Sequence, residues 1–403
     1  MSAVPPAPAT TGRRASRAVF FVFALNGFVV ASWLARLPAV RDALDLSPAR
    51  IGLVLLVGSL GSVLALPLTG AVVQRVGTVR TIVAAAAVTF LGFAAVALAV
   101  GVGNVAWLAP ALFGAQIGIA AWDVAMNLEG GAVEHVVRRA IMPRFHAGFS
   151  LGTVAGAGVG ALAAAGDVPV EVHLLVVQAV VLLGVLLGLR GFLPPALGLT
   201  QESGGSRGQR ARQTFGAWLE PRTLLVGVVV LAAALTEGAA NDWIALAVVD
   251  GFDLPNAMGA VGFAVFVTAM TAMRLLGTGL LERYGRVAVL RLCSALALAG
   301  LLLFALSPWL WPALVGALLW GLGAALGFPV GMSAASDEPV RAAARVSVVA
   351  SIGYTAFLAG PPLLGLLAEQ VGYRLALLAV AVPLAVGLLL VPVARPVGPA
   401  AER

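Results

Sequence analysis

Apolar residues do not alternate along this chain. They come in runs of about 20, the length an α-helix needs to cross a bilayer, and the runs recur twelve times. The spans read 18–36, 51–73, 79–101, 105–128, 146–166, 170–190, 222–247, 258–281, 286–306, 309–331, 346–367 and 372–393. Helices apolar on every side belong in lipid, where each must satisfy its own backbone. The longest interruption, 191–221, carries GLTQESGGSRGQRARQ, a polar, Gly/Ser-rich composition that predicts a flexible linker. It divides the helices six and six. The expected build is an all-α membrane protein with twelve transmembrane helices in two pseudo-symmetric six-helix bundles, 18–190 and 222–394. Residues 1–17 and 395–403 are expected as tails, the first of them disordered and Pro/Ala/Thr-rich at its start.

Composition excludes a soluble chain: 61% of residues are apolar and 11% charged, against a usual quarter charged. The net charge of +7 comes from arginine alone and does not imply nucleic acid. Its placement is informative. With the N-terminus in the cytoplasm, 20 of the 25 arginines fall on inner segments, the bias that orients bacterial membrane proteins. Arg36, Arg41, Arg50 and Arg374 fall outside, and Arg274 lies within a helix. Both termini and the linker are therefore expected in the cytoplasm, and the chain in the bacterial cytoplasmic membrane. Arg13, Arg14 and Arg17 ahead of the first run resemble a signal peptide, but the run is long enough to span and reads as a retained helix. The one cysteine, Cys293, allows no disulfide within the chain, and three separated histidines make no metal site. No cofactor is expected.

The two halves share a loop. GAVVQRVGTVR (Gly70–Arg80) follows the second helix, and TGLLERYGRVAVLR (Thr278–Arg291) follows the eighth. Arg75 and Gly77 match Arg283 and Gly285 at a separation of 208 residues. Both loops resemble the major facilitator signature G-x-x-x-D-R-x-G-R-R, with Gln74 in place of the first acid, and with Glu282 keeping the acid but Thr278 replacing the glycine in the second. That resemblance implies a secondary transporter in which Gln74, Arg75, Gly77, Glu282, Arg283 and Gly285 form conformational-switch loops. AWDVAMNLEGGAVE (121–134), RFHAGFSLGTVAGAG (144–158), TEGAANDW (236–243) and GYTAFLAGPPLLGLLAEQVGYR (353–374) resemble the YbjJ-like bacterial permeases, a branch similar to the fucose permease group. In that group an acid with Asn four residues later stands on the fourth helix. Asp123 and Asn127 take those places here.

Charged residues inside membrane helices are expensive and need a reason. Gln116, Asp123 and Asn127 share one helical face. Asp123 reads as a proton- or substrate-binding carboxylate, or as a structural acid bonded to loop amides or an arginine. Glu237, with Asn241 one turn on, lies nearest the midplane and is the leading candidate proton site, with Asp123 its partner or rival. Arg274 reads as snorkelling toward the cytoplasmic surface and the Glu282 region, or as an anion clamp. Asn26, Gln178 and Tyr354, with Thr355 and Ser351, suit substrate hydroxyls or interhelical bonds. Trp122, Trp243 and Trp320 suit stacking on a ring or helix packing. His146 reads as a proton relay or an interfacial cap, and His135 and His173 as loop residues. Gly148, Gly152, Gly156 and Gly160 form a four-residue ladder, a close-packing seam.

The reading that results is a transporter, not an enzyme, working by alternating access as a monomer. Proton-coupled symport of a small, neutral, sugar-like solute leads. Proton-antiport export of hydrophobic compounds is the alternative within transport, and a membrane enzyme or non-transporting sensor the alternative outside it. An enzyme would need acids or histidines clustered at one interface, and no D-D-x-x-D run is present.

Overall fold

The computed structural model describes residues 9–138, 141–193, 216–338 and 341–396. It is helical throughout those residues. The elements are α1 Ala9–Leu34, α2 Leu37–Leu44, α3 Pro48–Val76, α4 Thr78–Gly101, α5 Val105–Val137, α6 Met142–Ala165 and α7 Val170–Gly188, then α8 Pro221–Phe252, α9 Asn256–Leu306, α10 Leu310–Ala324, α11 Gly327–Ala335 and α12 Ala342–Val371. A last segment, Tyr373–Ala394, alternates α and 3-10 turns and is called α13 here.

Eleven helical stretches are long and apolar enough to cross a membrane. One of them, α9, breaks at Gly285 (φ 76, ψ 164) and supplies two spans, which brings the described helices to the expected twelve. Gly77 has nearly the same backbone (φ 85, ψ 162). Both are left-handed conformations that a side chain rarely adopts, so the repeated loop is the same turn built twice.

Three details differ from the sequence reading. α1 begins at Ala9, so residues 9–17 extend the first helix instead of forming a disordered tail. A short extra helix, α2, fills the connection after α1, with Pro38 in its first turn. Ala217, near the end of the expected linker, is buried against Ala344 and Val348 of α12; the middle of the linker lies outside the described residues.

Contacts divide the chain into two compact units. The first runs to Leu46 and from Val54 to Gln201. The second takes Ser47–Leu53 and everything from Glu202 on. Successive long helices in each unit reverse direction across short loops, so each unit has an end that meets the linker and a far end.

In the first unit α1 packs on α6 through the glycine ladder. A Cβ on Gly148 would lie 2.8 Å from the Phe20 carbonyl, and those on Gly152 and Gly156 would meet the carbonyls of Ala24 and Phe28. Backbones can approach this closely only where side chains are absent. α4 packs on α5 in the same way, Gly92 against Ala115 and Gly118 against Thr89. In the second unit the later half of α9 packs on α10 through Gly300, Gly316 and Gly323, and α8 packs on α12 through Gly227 and Ile352. Within that unit the Glu369 carboxylate of α12 accepts from the first-turn N–H of Ala49, 2.9 Å away.

Candidate functional site

The repeat places a carboxylate latch at the linker end of each unit. In the first, Glu129 of α5 is buried (3% exposed). It accepts from the Thr78 hydroxyl at 2.6 Å and from the backbone N–H of Leu193 at 3.0 Å. In the second, Asp337 accepts from Arg286 at 3.0 Å and from Arg222 at 2.9 Å. Thr78 and Arg286, and Glu129 and Asp337, are again 208 residues apart. Arg14 and Arg222, at the same separation, each donate to a carbonyl at the end of the unit's last helix, Arg190 and Arg395. The sequence reading missed both acids. The 208-residue spacing, carried past the glycine turn, would have found them. The switch residues Arg75, Gly77, Glu282, Arg283 and Gly285 are exposed beside these latches.

Glu220, just before α8, anchors a second cluster at the linker end of its unit. It accepts from Arg341 at 2.9 Å, Arg345 at 2.5 Å and Thr223 at 2.9 Å. Burial pushes its carboxyl up, but the hydrogen bonds from Arg345, Thr223 and Arg341 and the charge of Arg345 outweigh this, and it sits below the usual carboxylate range.

Deeper along α5, Asp123 and Asn127 meet as their spacing requires. The Asn127 amide donates to the Asp123 backbone carbonyl at 2.9 Å and lies 3.3 Å from its carboxylate. Both are half-buried. Asn127 is the one side chain among the described residues that bonds the Asp123 carboxylate, and no cation pairs with it. The Gln116 side chain lies toward α3, where a Cβ on Gly58 would come 3.3 Å from its Cγ. Asn26 of α1 is 2% exposed, with its amide nitrogen unbonded. Trp122 is fully buried, as are Trp243 and Trp320, so these rings pack among helices instead of facing a ligand.

In the second unit Glu237 and Arg274 form a two-pronged ion pair. The Arg274 Nη2 lies 2.8 Å and 3.0 Å from the two carboxylate oxygens, and its Nε donates to the Ala325 carbonyl at 3.2 Å. This corrects the expectation that Arg274 reaches toward Glu282. The two share a helix axis and stand about 12 Å apart along it, whereas Glu237 is on the neighbouring helix. Asn241 is half-buried one turn from Glu237. Asp242 beside it is half-buried and carries no hydrogen bond among the described residues; it was not singled out from the sequence. The Tyr354 ring is 36% exposed and lies 6.4 Å and 6.3 Å from the rings of Phe328 and Phe357.

Two histidines differ from expectation. His135 is inside α5, and His173 is inside α7 and 5% exposed. His146, within α6, sets its ring edge-on to Phe23 at 5.3 Å.

The family model of the Major Facilitator Superfamily matches residues 19–355 and 243–403. The chain belongs to this superfamily. It is 34% identical over 388 residues to the transporter y4wD of Sinorhizobium fredii (strain NBRC 101917 / NGR234), across 94% of this chain and 98% of that protein. Among solved structures, the nucleoside transporter NupG matches with a TM-score of 0.75 at 16% identity, over 96% of this chain and 99% of that one. The E. coli fucose:proton symporter FucP matches with a TM-score of 0.64 at 14% identity, over 95% and 98%. The protein is thus a multi-pass membrane transporter of the major facilitator superfamily, with the fold of these two neighbours.

Proposed function

We propose that the protein is a proton-coupled symporter of a small neutral solute with several hydroxyl groups, a sugar or a nucleoside. One observation carries the reading: Asp123 is a half-buried carboxylate inside a membrane-spanning helix, and among the described residues Asn127 is its only side-chain partner and no cation neutralises it. Such a group in a membrane helix is costly when charged and marks an ion or substrate path. The names of the two structural neighbours, a nucleoside transporter and a fucose:proton symporter, agree with that chemistry.

In this reading Asp123 takes up the proton and Asn127 holds its neutral form or a substrate hydroxyl. Glu237, which led on sequence alone, has its charge matched by Arg274 and serves as a fixed polar anchor, with Asn241 beside it. Gln116 and Tyr354 supply further solute bonds, while the buried Asn26 and Trp122 pack among helices behind them. The switch loops sit in the cytoplasm with both termini, in accord with the arginine bias.

The test uses the purified chain in proteoliposomes, with an inward proton gradient and a panel of labelled sugars and nucleosides. Wild type is expected to accumulate at least one of them. Asp123→Asn is expected to lose gradient-driven accumulation and keep counterflow exchange, which needs no net proton movement. If Asp123→Asn still accumulates solute while Glu237→Gln does not, coupling belongs to Glu237. If neither variant affects coupling, the proton-coupled reading fails.

A further inference from the structure

The far end of the first unit holds a group of buried donors that the transport reading does not use. Arg36 follows α1 and is 4% exposed. Its Nη2 donates to the Val168 carbonyl at 2.6 Å, while Nε and Nη1 are buried with no acceptor. His173, in the second turn of α7, has both ring nitrogens buried and unbonded. Ser32, one turn before Arg36, is 0% exposed with an unbonded hydroxyl. Arg36 and His173 come together at this corner, and Ser32, on α1, lies one turn below Arg36. The Arg36 charge acts on His173. A Cβ on Gly160 would lie 2.6 Å from that of Ala35 and 4.0 Å from the His173 Cε1, and one on Gly156 would lie 3.1 Å from the backbone nitrogen of Ser32.

A buried guanidinium keeps its charge and needs acceptors for its five N–H groups. Glu171, in the first turn of α7, is the carboxylate whose charge Arg36 feels. It is half-buried, and among the described residues it forms no ion pair with Arg36. The first turn of α7 adds backbone N–H groups with no partner inside the helix, at the positive end of its dipole. The site therefore has guanidinium donors without acceptors and a positive charge that Glu171 offsets only from a distance. Water would accept from some of these donors and leave the charge unmatched. An acceptor-only anion would answer both. Because Arg36, His173 and Ser32 are each more than nine-tenths buried, the occupant must be small enough to be enclosed.

We propose that Arg36, His173 and Ser32 hold a small monovalent anion of halide size, which ties α1 to α6 and α7 at the far end of the first unit. The test compares thermal unfolding of the purified full chain in chloride, bromide and gluconate at one ionic strength. Chloride and bromide are expected to raise the midpoint saturably by about 2–4 °C over gluconate. In His173→Ala the concentration for half the effect should rise about tenfold, one hydrogen bond to a charged group being worth that much. Arg374→Lys, which alters a buried arginine in the other unit, should keep the full halide effect. Equal midpoints in all three salts would overturn the proposal. Crystals of the wild type grown in bromide give a reading that does not depend on a variant folding. An anomalous peak beside the Arg36 guanidinium supports the site, and a water or no density there overturns it.

Discussion

Replacing Glu237 by Gln should destabilise the second unit, and the size follows from the ion pair. Arg274 donates to both carboxylate oxygens, at 2.8 Å and 3.0 Å. Removing one partner of a fully buried pair costs about 3–5 kcal/mol because the other charge is left unmatched. An exposed pair is worth about 0.2–1 kcal/mol. Here the side chains are 18% and 26% exposed, and Arg274 keeps the Ala325 carbonyl. Gln also retains one acceptor. These facts place the loss near 2 kcal/mol, about a thirtyfold change in the folding equilibrium. In a thermal melt of the detergent-solubilised protein this corresponds to a drop of about 4–8 °C. The double variant Glu237→Gln/Arg274→Gln removes the orphaned cation and should recover about half of the loss. If Glu237→Gln melts within about 1 °C of wild type, or if the double variant is the sum of the two singles, the pair is not held as described.

Three more outcomes follow from single contacts. Gly152→Ala places a methyl on the Ala24 carbonyl and should cost about 2 kcal/mol, whereas Gly158→Ala, in the same helix with nothing within 4 Å, should be neutral or slightly stabilising; chemical denaturation of the two variants compares them directly. Because the Glu220 carboxyl lies below its ordinary value when folded, its contribution is complete above about pH 5 and is lost as pH falls below about 4.3 and through the lower folded value. Glu220→Gln should therefore flatten the fall of the melting midpoint between about pH 5 and pH 3, and an unchanged slope would contradict the assignment. Asp337→Asn leaves Arg222 and Arg286 without their shared acid and should cost about 2–3 kcal/mol. Glu129→Gln disturbs neutral donors only and should cost about 1 kcal/mol; equal losses for the two would refute the charge argument.

The helices were legible because lipid removes ambiguity: a run of about 20 apolar residues has one stable use there. The glycine ladder was legible for a related reason, since four glycines at fixed helical spacing leave a groove that only a backbone can fill, and α1 fills it. What lipid hides is direction. A helix apolar on every side has no hydrophobic stripe to show which face meets which neighbour. Arg274 was therefore matched to the acid on its own helix, and its partner on the next helix was missed. His173 and Arg36 were read as surface groups because they lie near the ends of apolar runs. Both are buried instead, and Arg36 reaches the Val168 carbonyl in the turn before α7. Glu129 and Asp337 were passed over because each was weighed alone, and only the repeat makes them a pair.

The repeat also shows where the two units part company. At the linker end both build the same latch, yet one uses a hydroxyl and an amide and the other two arginines. Deeper in, among the described residues, the first unit has Asp123 without a cation, and the second has Glu237 with one and Asp242 without. A carboxylate with a fixed arginine has a charge partner whether or not water reaches it. A carboxylate without one is balanced in a dry site only by taking up a proton or a cation. The paired and unpaired carboxylates therefore differ in their sensitivity to changing water access. Under the proposed coupling, Asp123 in the first unit and Asp242 in the second are the carboxylates that water access can govern, and Glu237 is not. Removing the arginine should then change the response: Arg274→Gln leaves Glu237 without its cation, and uptake in that variant should become more sensitive to pH than in wild type. An unchanged pH profile would mean that the ion pair does not govern which acid responds.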